Sequence, residues 1–310
     1  MQRSRSLPAA PTAPRSTRRR VGLVACALAA ALATAGCGSA SNSGAGARVS
    51  LLRAADVTNA AAGYRMAMRI AISTSSLPGP IDASGTGSFD PAAHTGQLTM
   101  AMDFGSNPQV AAALGGSTLR LREILDGGNI YLGLPASLAA RLPGARPWLL
   151  INLSQAAAKA GIPGFSSLLD NPTSTNPALF LQYLRAVSGG VRRIGSATID
   201  GHRTTGYRAT IDLSKAAKAA PPGQRAAVAQ AVGAVERLSG ITRIPVEAWV
   251  DANHLVRRMS ISLTERPQAS GQKVTSAITV DMLSYGPQPK PQLPPASQVT
   301  NLSSLTGAAG

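Results

Sequence analysis

From Tyr64 to Ile72 the even positions are large and apolar, Met66, Met68, Ile70 and Ile72 among them, while Arg65 and Arg69 fall between them. A period of two puts these side chains on one face of an extended strand. Residues 97–104 repeat the pattern with Leu98, Met100, Met102 and Phe104. Both segments predict half-buried antiparallel strands, apolar inward and polar outward. Turn chemistry then predicts hairpins. Asp126-Gly127-Gly128 joins strands over 119–125 and 129–134, and Asp200-Gly201 joins 191–199 to 202–212. Residues 251–254 turn a strand over 244–250 into one over 255–265, and a last strand covers 273–285. About nine to eleven strands result, all joined by short turns or single helices.

Helical spacing falls between the strands, over 135–142, 154–160, 176–187 and a pair spanning 213–239. Phe180, Tyr183, Leu184 and Val187 share one face of the third, and Val228, Ala231, Val232 and Val235 one face of the last. Each helix has one side to bury. A sheet with one apolar face and a few amphipathic helices makes an α+β fold, with the helices covering that face.

The flanks read differently. Residues 1–20 carry Arg3, Arg5, Arg15, Arg18, Arg19 and Arg20 and no acid, and an apolar run follows over 21–35. These are the n-region and h-region of a secretory signal peptide. The run is too short and alanine-rich for a transmembrane helix, which needs about 20 predominantly apolar residues. It ends in Ala33-Thr34-Ala35-Gly36-Cys37, which resembles the lipobox of bacterial lipoproteins. There the cysteine thiol is diacylglycerated and the chain is cut just before it. The resemblance implies a signal peptide over 1–36 and lipidation of Cys37, although Thr34 stands where the pattern usually has Leu. Plain secretion, with cleavage near Ala33-Thr34-Ala35, is the alternative. Residues 37–47 then read as a flexible tether, 48–286 as one folded domain, and the Pro-rich stretch 287–310 as a disordered tail.

Composition narrows the function classes. Cys26 lies within the apolar run and would leave with the leader, so the mature chain has no pair of thiols for a disulfide or a thiolate metal site. The six arginines before Cys37 account for the fall in net charge from +16 to +10. What remains suits an anionic membrane or envelope surface. Scattered basic residues and an aromatic content of 4% speak against nucleic acid. His94, His202 and His254 all fall in predicted turns, apart from any serine or cysteine nucleophile. There is no G-x-S-x-G elbow, P-loop, dinucleotide fingerprint or acidic calcium loop, so no catalytic residue, metal or cofactor is expected. Gly85-Thr86-Gly87 sits inside a strand and reads as a bulge or a close backbone approach.

The segments Gly195-Ser-Ala-Thr-Ile-Asp-Gly201, Gly206-Tyr-Arg-Ala-Thr-Ile-Asp-Leu213, Ile244-Pro-Val-Glu-Ala-Trp-Val-Asp251 and Leu255-Val-Arg-Arg-Met-Ser260 resemble the LppX/LprG group of actinobacterial lipoproteins, whose fold is similar to that of the periplasmic lipoprotein carrier LolA. The resemblance implies a half-open antiparallel barrel with α-helices over its concave face, enclosing an apolar cavity for acyl chains. It implies a carrier of lipids, glycolipids or lipidated molecules on the extracytoplasmic face of the cell membrane, with an envelope transporter as a further partner. An Ala- and Pro-rich helical insertion around 215–225 departs from the pattern.

Candidate cavity residues are Met66, Met68, Met100, Met102, Phe180, Tyr183, Leu184, Met259 and Ile261. Six of the seven methionines fall on the apolar faces, and a flexible, polarizable side chain adapts to ligands of varied shape. From the residues alone, a solvent-free core and a lipid-lined cavity are equally open. The resemblance favours the cavity, and the alternative is a structural or sensory lipoprotein acting through protein partners. Counting back from Ile261 and Met259 puts Arg257 on the apolar face. Two accounts of it stand, a side chain snorkelling to water at the hairpin end and an anionic head-group contact at the cavity mouth.

Overall fold

The computed structural model describes residues 44–142, 144–159, 187–220, 222–265 and 271–307. It opens with helix α1 (Gly44–Asn59) and strands β1 (Tyr64–Thr74), β2 (Ile81–Asp90) and β3 (Thr95–Asp103). Helix α2 (Pro108–Leu114), strands β4 (Thr118–Asp126) and β5 (Asn129–Gly133), the single turn α3 (Ala136–Ala139), strand β6 (Trp148–Asn152) and helix α4 (Leu153–Lys159) follow. Next come β7 (Val187–Ile199), β8 (His202–Asp212), α5 (Leu213–Ala219) and α6 (Arg225–Ser239). Then follow β9 (Arg243–Asp251), β10 (Val256–Glu265), β11 (Val274–Tyr285), β12 (Val299–Asn301) and α7 (Leu302–Gly307).

The strands form one sheet in the order β12-β6-β5-β4-β3-β2-β1-β11-β10-β9-β8-β7. Every pairing is antiparallel except that of β12 with β6. With β7 and β12 at opposite edges the sheet is open, a half-barrel with helices on one face. The predicted hairpins form as expected. Asp200 and Gly201, at φ 47° and 76°, make the two-residue loop between the paired Ile199 and His202. Both loop residues are left-handed, as a type I′ turn requires, and the second is a glycine.

Packing explains why the helices lie where they do. In α1, Leu51, Ala54, Ala55 and Thr58 are buried at i, i+3, i+4 and i+7 spacing. They join Leu213 at the start of α5 and Val228 of α6 in one core with Val246, Ala248, Met259, Ile261, Val280 and Met282 on the inner face of the sheet. Gly240, at φ 71°, ends α6 with its N–H on the Glu236 carbonyl. On the outer face two tryptophans lie across glycines of neighbouring strands. A Cβ on Gly133 would stand 3.2 Å from the Trp148 ring, and one on Gly206 2.7 Å from that of Trp249. Asp281 is buried on that face, accepting from Arg69 Nη2 at 2.8 Å and from Arg258 Nη2 at 2.9 Å.

Several elements depart from expectation. α1 begins at Gly44, so the last residues of the expected tether are helical. Within the stretch expected to be a disordered tail, residues 299–307 form regular structure. Val299–Asn301 adds a parallel strand to β6, Arg146 Nη1 donates to the Ala296 and Val299 carbonyls, and Leu302–Gly307 is helical. Parallel backbone pairing needs no apolar alternation in a three-residue strand, so the Pro-rich composition hid it. α2 is also additional, bounded by Pro108 at its start and left-handed Gly115 at its end. α3 is shorter than the expected 135–142, because Arg141 and Leu142 continue it only through N–H bonds to carbonyls three residues back. Val187, expected to close a helix over 176–187, starts β7 instead, and the remainder of that helix lies outside the described residues.

Candidate ligand-binding face

Strand register assembles the candidate residues into cross-strand rows. Met259 of β10 stands opposite Val280, Val280 opposite Met68, Met68 opposite Gly85, and Gly85 opposite Met100. A flanking row carries Met282, Met66, Gly87 and Leu98, and the other carries Ile261, Ile278, Ile70, Ala83 and Met102. Met66, Met68, Met100, Met102, Met259 and Met282 therefore share one face, spread over β1, β3, β10 and β11.

That face has two unlike halves. Toward β8–β11, beneath α1, α5 and α6, Met66, Met259, Ile261 and Met282 are buried. Those positions belong to a closed core. Toward β2–β5, Met68, Ile70, Met100, Met102, Leu119, Leu121 and Leu132 are only half-buried. Here the sheet keeps apolar side chains that can still lose water to a ligand.

The glycine pair shapes the border between the halves. A Cβ on Gly87 would stand 2.4 Å from the Gln97 carbonyl oxygen, and one on Gly85 2.6 Å from that of Thr99. Only glycine fits so near a neighbouring backbone. Both pairings keep their register, so close approach is the correct account of this segment and a bulge is not. Leu98 Cδ1 lies 3.2 Å and 3.4 Å from those two Cβ positions, so its side chain leans over β2 and away from β4.

On the β4 side of Leu98 stands Glu123, a residue the sequence reading passed over. It pairs with Leu98 across β3 and with Leu132 across β5. Burial pushes its carboxyl above the ordinary value for glutamate. The signal was available, since Glu123 shares parity with Leu119, Leu121 and Leu125.

Arg257 differs from both expectations. A register shift between Val256 and Arg258 makes it the extra residue of a β-bulge, and it is only 6% exposed. Its Nε donates to Asp251 Oδ2 at 2.7 Å, and its guanidinium lies 5.3 Å from the centre of the Tyr285 ring. The charge is held inside an ion pair instead of snorkelling to water. Burial alone would raise the Asp251 carboxyl, but the N–H of Leu255, the Arg257 guanidinium and the N–H of Asn253 together hold it below the usual aspartate value. Burial raises the Tyr285 phenol. Its hydroxyl donates to the Val256 carbonyl, and the Val256 N–H donates to Thr58 Oγ1 at 3.0 Å, which fastens the end of α1 to this hairpin.

Phe180, Tyr183, Leu184 and Cys37 lie outside the described residues. His94 and His254 take left-handed backbone in turns, and His202 is the exposed first residue of β8. Among the described residues no group of three or more His, Cys, Asp or Glu could hold a metal, and no helix is long and apolar enough to cross a membrane. A groove of about 590 Å³ opens on the outer face, lined by short side chains such as Ala71, Ser84, Ala101 and Ala277. Ile70 is the one large apolar residue in its lining, and Arg69, Asp82 and Asp103 bring charge to it.

Fold and site together define an open antiparallel half-barrel with one apolar, partly covered inner face. No family model and no curated protein matches the chain. Among solved structures it is similar to the lipoprotein LppX of Mycobacterium tuberculosis, with 15% identity, a TM-score of 0.42, and coverage of 79% of this chain and 98% of that one. It is similar to LprF from Mycobacterium bovis at 15% identity and a TM-score of 0.40, covering 81% and 98%. A putative outer membrane lipoprotein-sorting protein domain from Vibrio parahaemolyticus follows at 7% identity and a TM-score of 0.24, covering 85% and 98%. Each is a partial likeness in backbone arrangement.

Proposed function

We propose that the protein is a lipid-binding carrier of the cell envelope, held to the extracytoplasmic face of the membrane through a lipid on Cys37. The observation that carries this reading is the half-buried apolar surface around Met68, Met100 and Met102, continuous with a closed core yet not itself closed. An acyl chain laid across it gains roughly 0.8 kcal/mol per buried methylene, before the costs of association. Methionines let one surface accept chains of different shape. The reading involves no bond making or breaking and assigns no role to the three histidines.

The test is organic extraction and mass spectrometry of the full chain purified from a host that makes envelope lipids, with Met100→Lys beside it. A stoichiometric acylated species, lost in the variant while the fold persists by circular dichroism, is the expected result. A lipid-free protein, or lipid unaffected by a charge at Met100, would direct attention to a lipoprotein that works through protein partners.

A further inference from the structure

A half-buried carboxyl on an otherwise apolar face demands a reason, because losing part of its water without a protein partner costs free energy that a leucine at the same position would not lose. Glu123 sits between Leu121 and Leu125 along β4, and between Leu98 and Leu132 across the sheet. It forms no hydrogen bond or ion pair among the described residues, in a chain with 30 lysines and arginines that could have supplied one. Leu98, its neighbour across β3, leans toward the glycines of β2. Met100, in the next row of β3, is half-buried.

We infer that Glu123 is the polar anchor of the lipid-binding face, accepting hydrogen bonds from O–H or N–H groups that an amphiphile carries next to its acyl chain. This rests on the carrier reading and deepens it. A carboxylate has acceptor capacity only, so it holds a hydroxyl- or amide-bearing ligand and repels a ligand whose own polar group is a carboxylate. With the chain lying over Met100 and Met102, the donor-bearing end meets Glu123. The anchor thus sets both the direction in which a ligand lies and which polar group is admitted.

Two chain-matched probes test this, monododecanoylglycerol and dodecanoate, titrated calorimetrically below their micellar concentrations into the delipidated full chain at pH 7.5. The wild-type protein should prefer the glycerol ester by roughly ten- to a hundredfold, the range set by a hydrogen bond to a charged group. Glu123→Leu should abolish the preference, chiefly by strengthening dodecanoate binding, and Glu123→Gln should retain part of it because the amide oxygen still accepts. Thermal melts confirm that each variant is folded, and the isosteric Gln variant keeps the test informative if Leu disturbs the sheet. A preference unchanged in folded Glu123→Leu overturns the anchor and leaves the carrier standing. Binding of neither probe by any variant overturns the carrier reading, and the anchor with it.

Discussion

Replacing Arg257 by Met removes the guanidinium while keeping most of the aliphatic stem, so the space beside Tyr285 stays filled and the charge alone is lost. The two side chains of the pair are 7% and 5% exposed, which puts the Asp251 carboxylate among buried ions once its partner is gone. Deleting one member of a buried pair costs about 3–5 kcal/mol. Asp251 would keep the N–H groups of Asn253 and Leu255, each 2.9 Å from Oδ1, and lose the Arg257 donor to Oδ2. The lower end of the range, about 3 kcal/mol, therefore applies. For a domain of this size that corresponds to a fall in Tm of roughly 6–12 °C. Urea denaturation followed by far-ultraviolet circular dichroism measures the cost, and Asp251→Asn with the double variant completes a cycle. The double variant should cost less than the sum of the singles by about 1 kcal/mol or more. A loss below about 1 kcal/mol, the range of exposed pairs, together with additive singles, would refute the buried-pair account.

Gly87→Ala should lower stability by about 1–3 kcal/mol, since its methyl would meet the Gln97 backbone carbonyl rather than a yielding side chain, whereas Gly116→Ala, with open space around it, should not; thermal melts compare the two. Acidification separates the carboxylates by sign. Asp251 and Asp281 titrate below the ordinary aspartate value of 3.8 in the folded chain, so the stability they contribute is present above that value and lost as pH falls through their folded pKa. Glu123 is shifted upward from 4.5, so its ionisation penalises the fold at neutral pH and the penalty disappears as pH falls from its folded pKa toward 4.5. Glu123→Gln should accordingly be more stable than wild type at pH 7, with the gain shrinking on acidification. A gain independent of pH would contradict the shift.

The strands and their hairpins were legible because period-two alternation and Asp-Gly turns are local signals. Tyr64 to Ile72 and Asp200-Gly201 fall where the pattern places them. Helix α1 was missed for a physical reason: its buried face is Leu51, Ala54, Ala55 and Thr58, and three of those four carry too little apolar surface to stand out from a small-residue linker. Its burial comes from partners distant in sequence, β7 and the hairpin around Val256. Alternation put the methionines on apolar faces, and strand register joins those faces into one. Which of them lie in closed core and which stay half-buried depends on where the helices land, and no single-strand pattern encodes that.

Arg257 and Glu123 show where alternation misleads and where it was under-used. Counting back from Met259 assigns Arg257 to the inner face as if the strand were regular, but the register shift between Val256 and Arg258 inserts a residue and makes Val256 the inward neighbour of Met259. In the bulge the guanidinium reaches Asp251, just across the turn at the same end of the hairpin. Glu123 lies on a strand with no register shift, so parity alone puts it among leucines. A charged residue that breaks an apolar alternation thus has two structural outcomes here. In the bulged strand the chain rearranges to supply an internal partner, and the charge serves stability. In the regular strand no partner comes from β3 or β5, and the half-buried carboxyl stays on the face where the proposed ligand would lie.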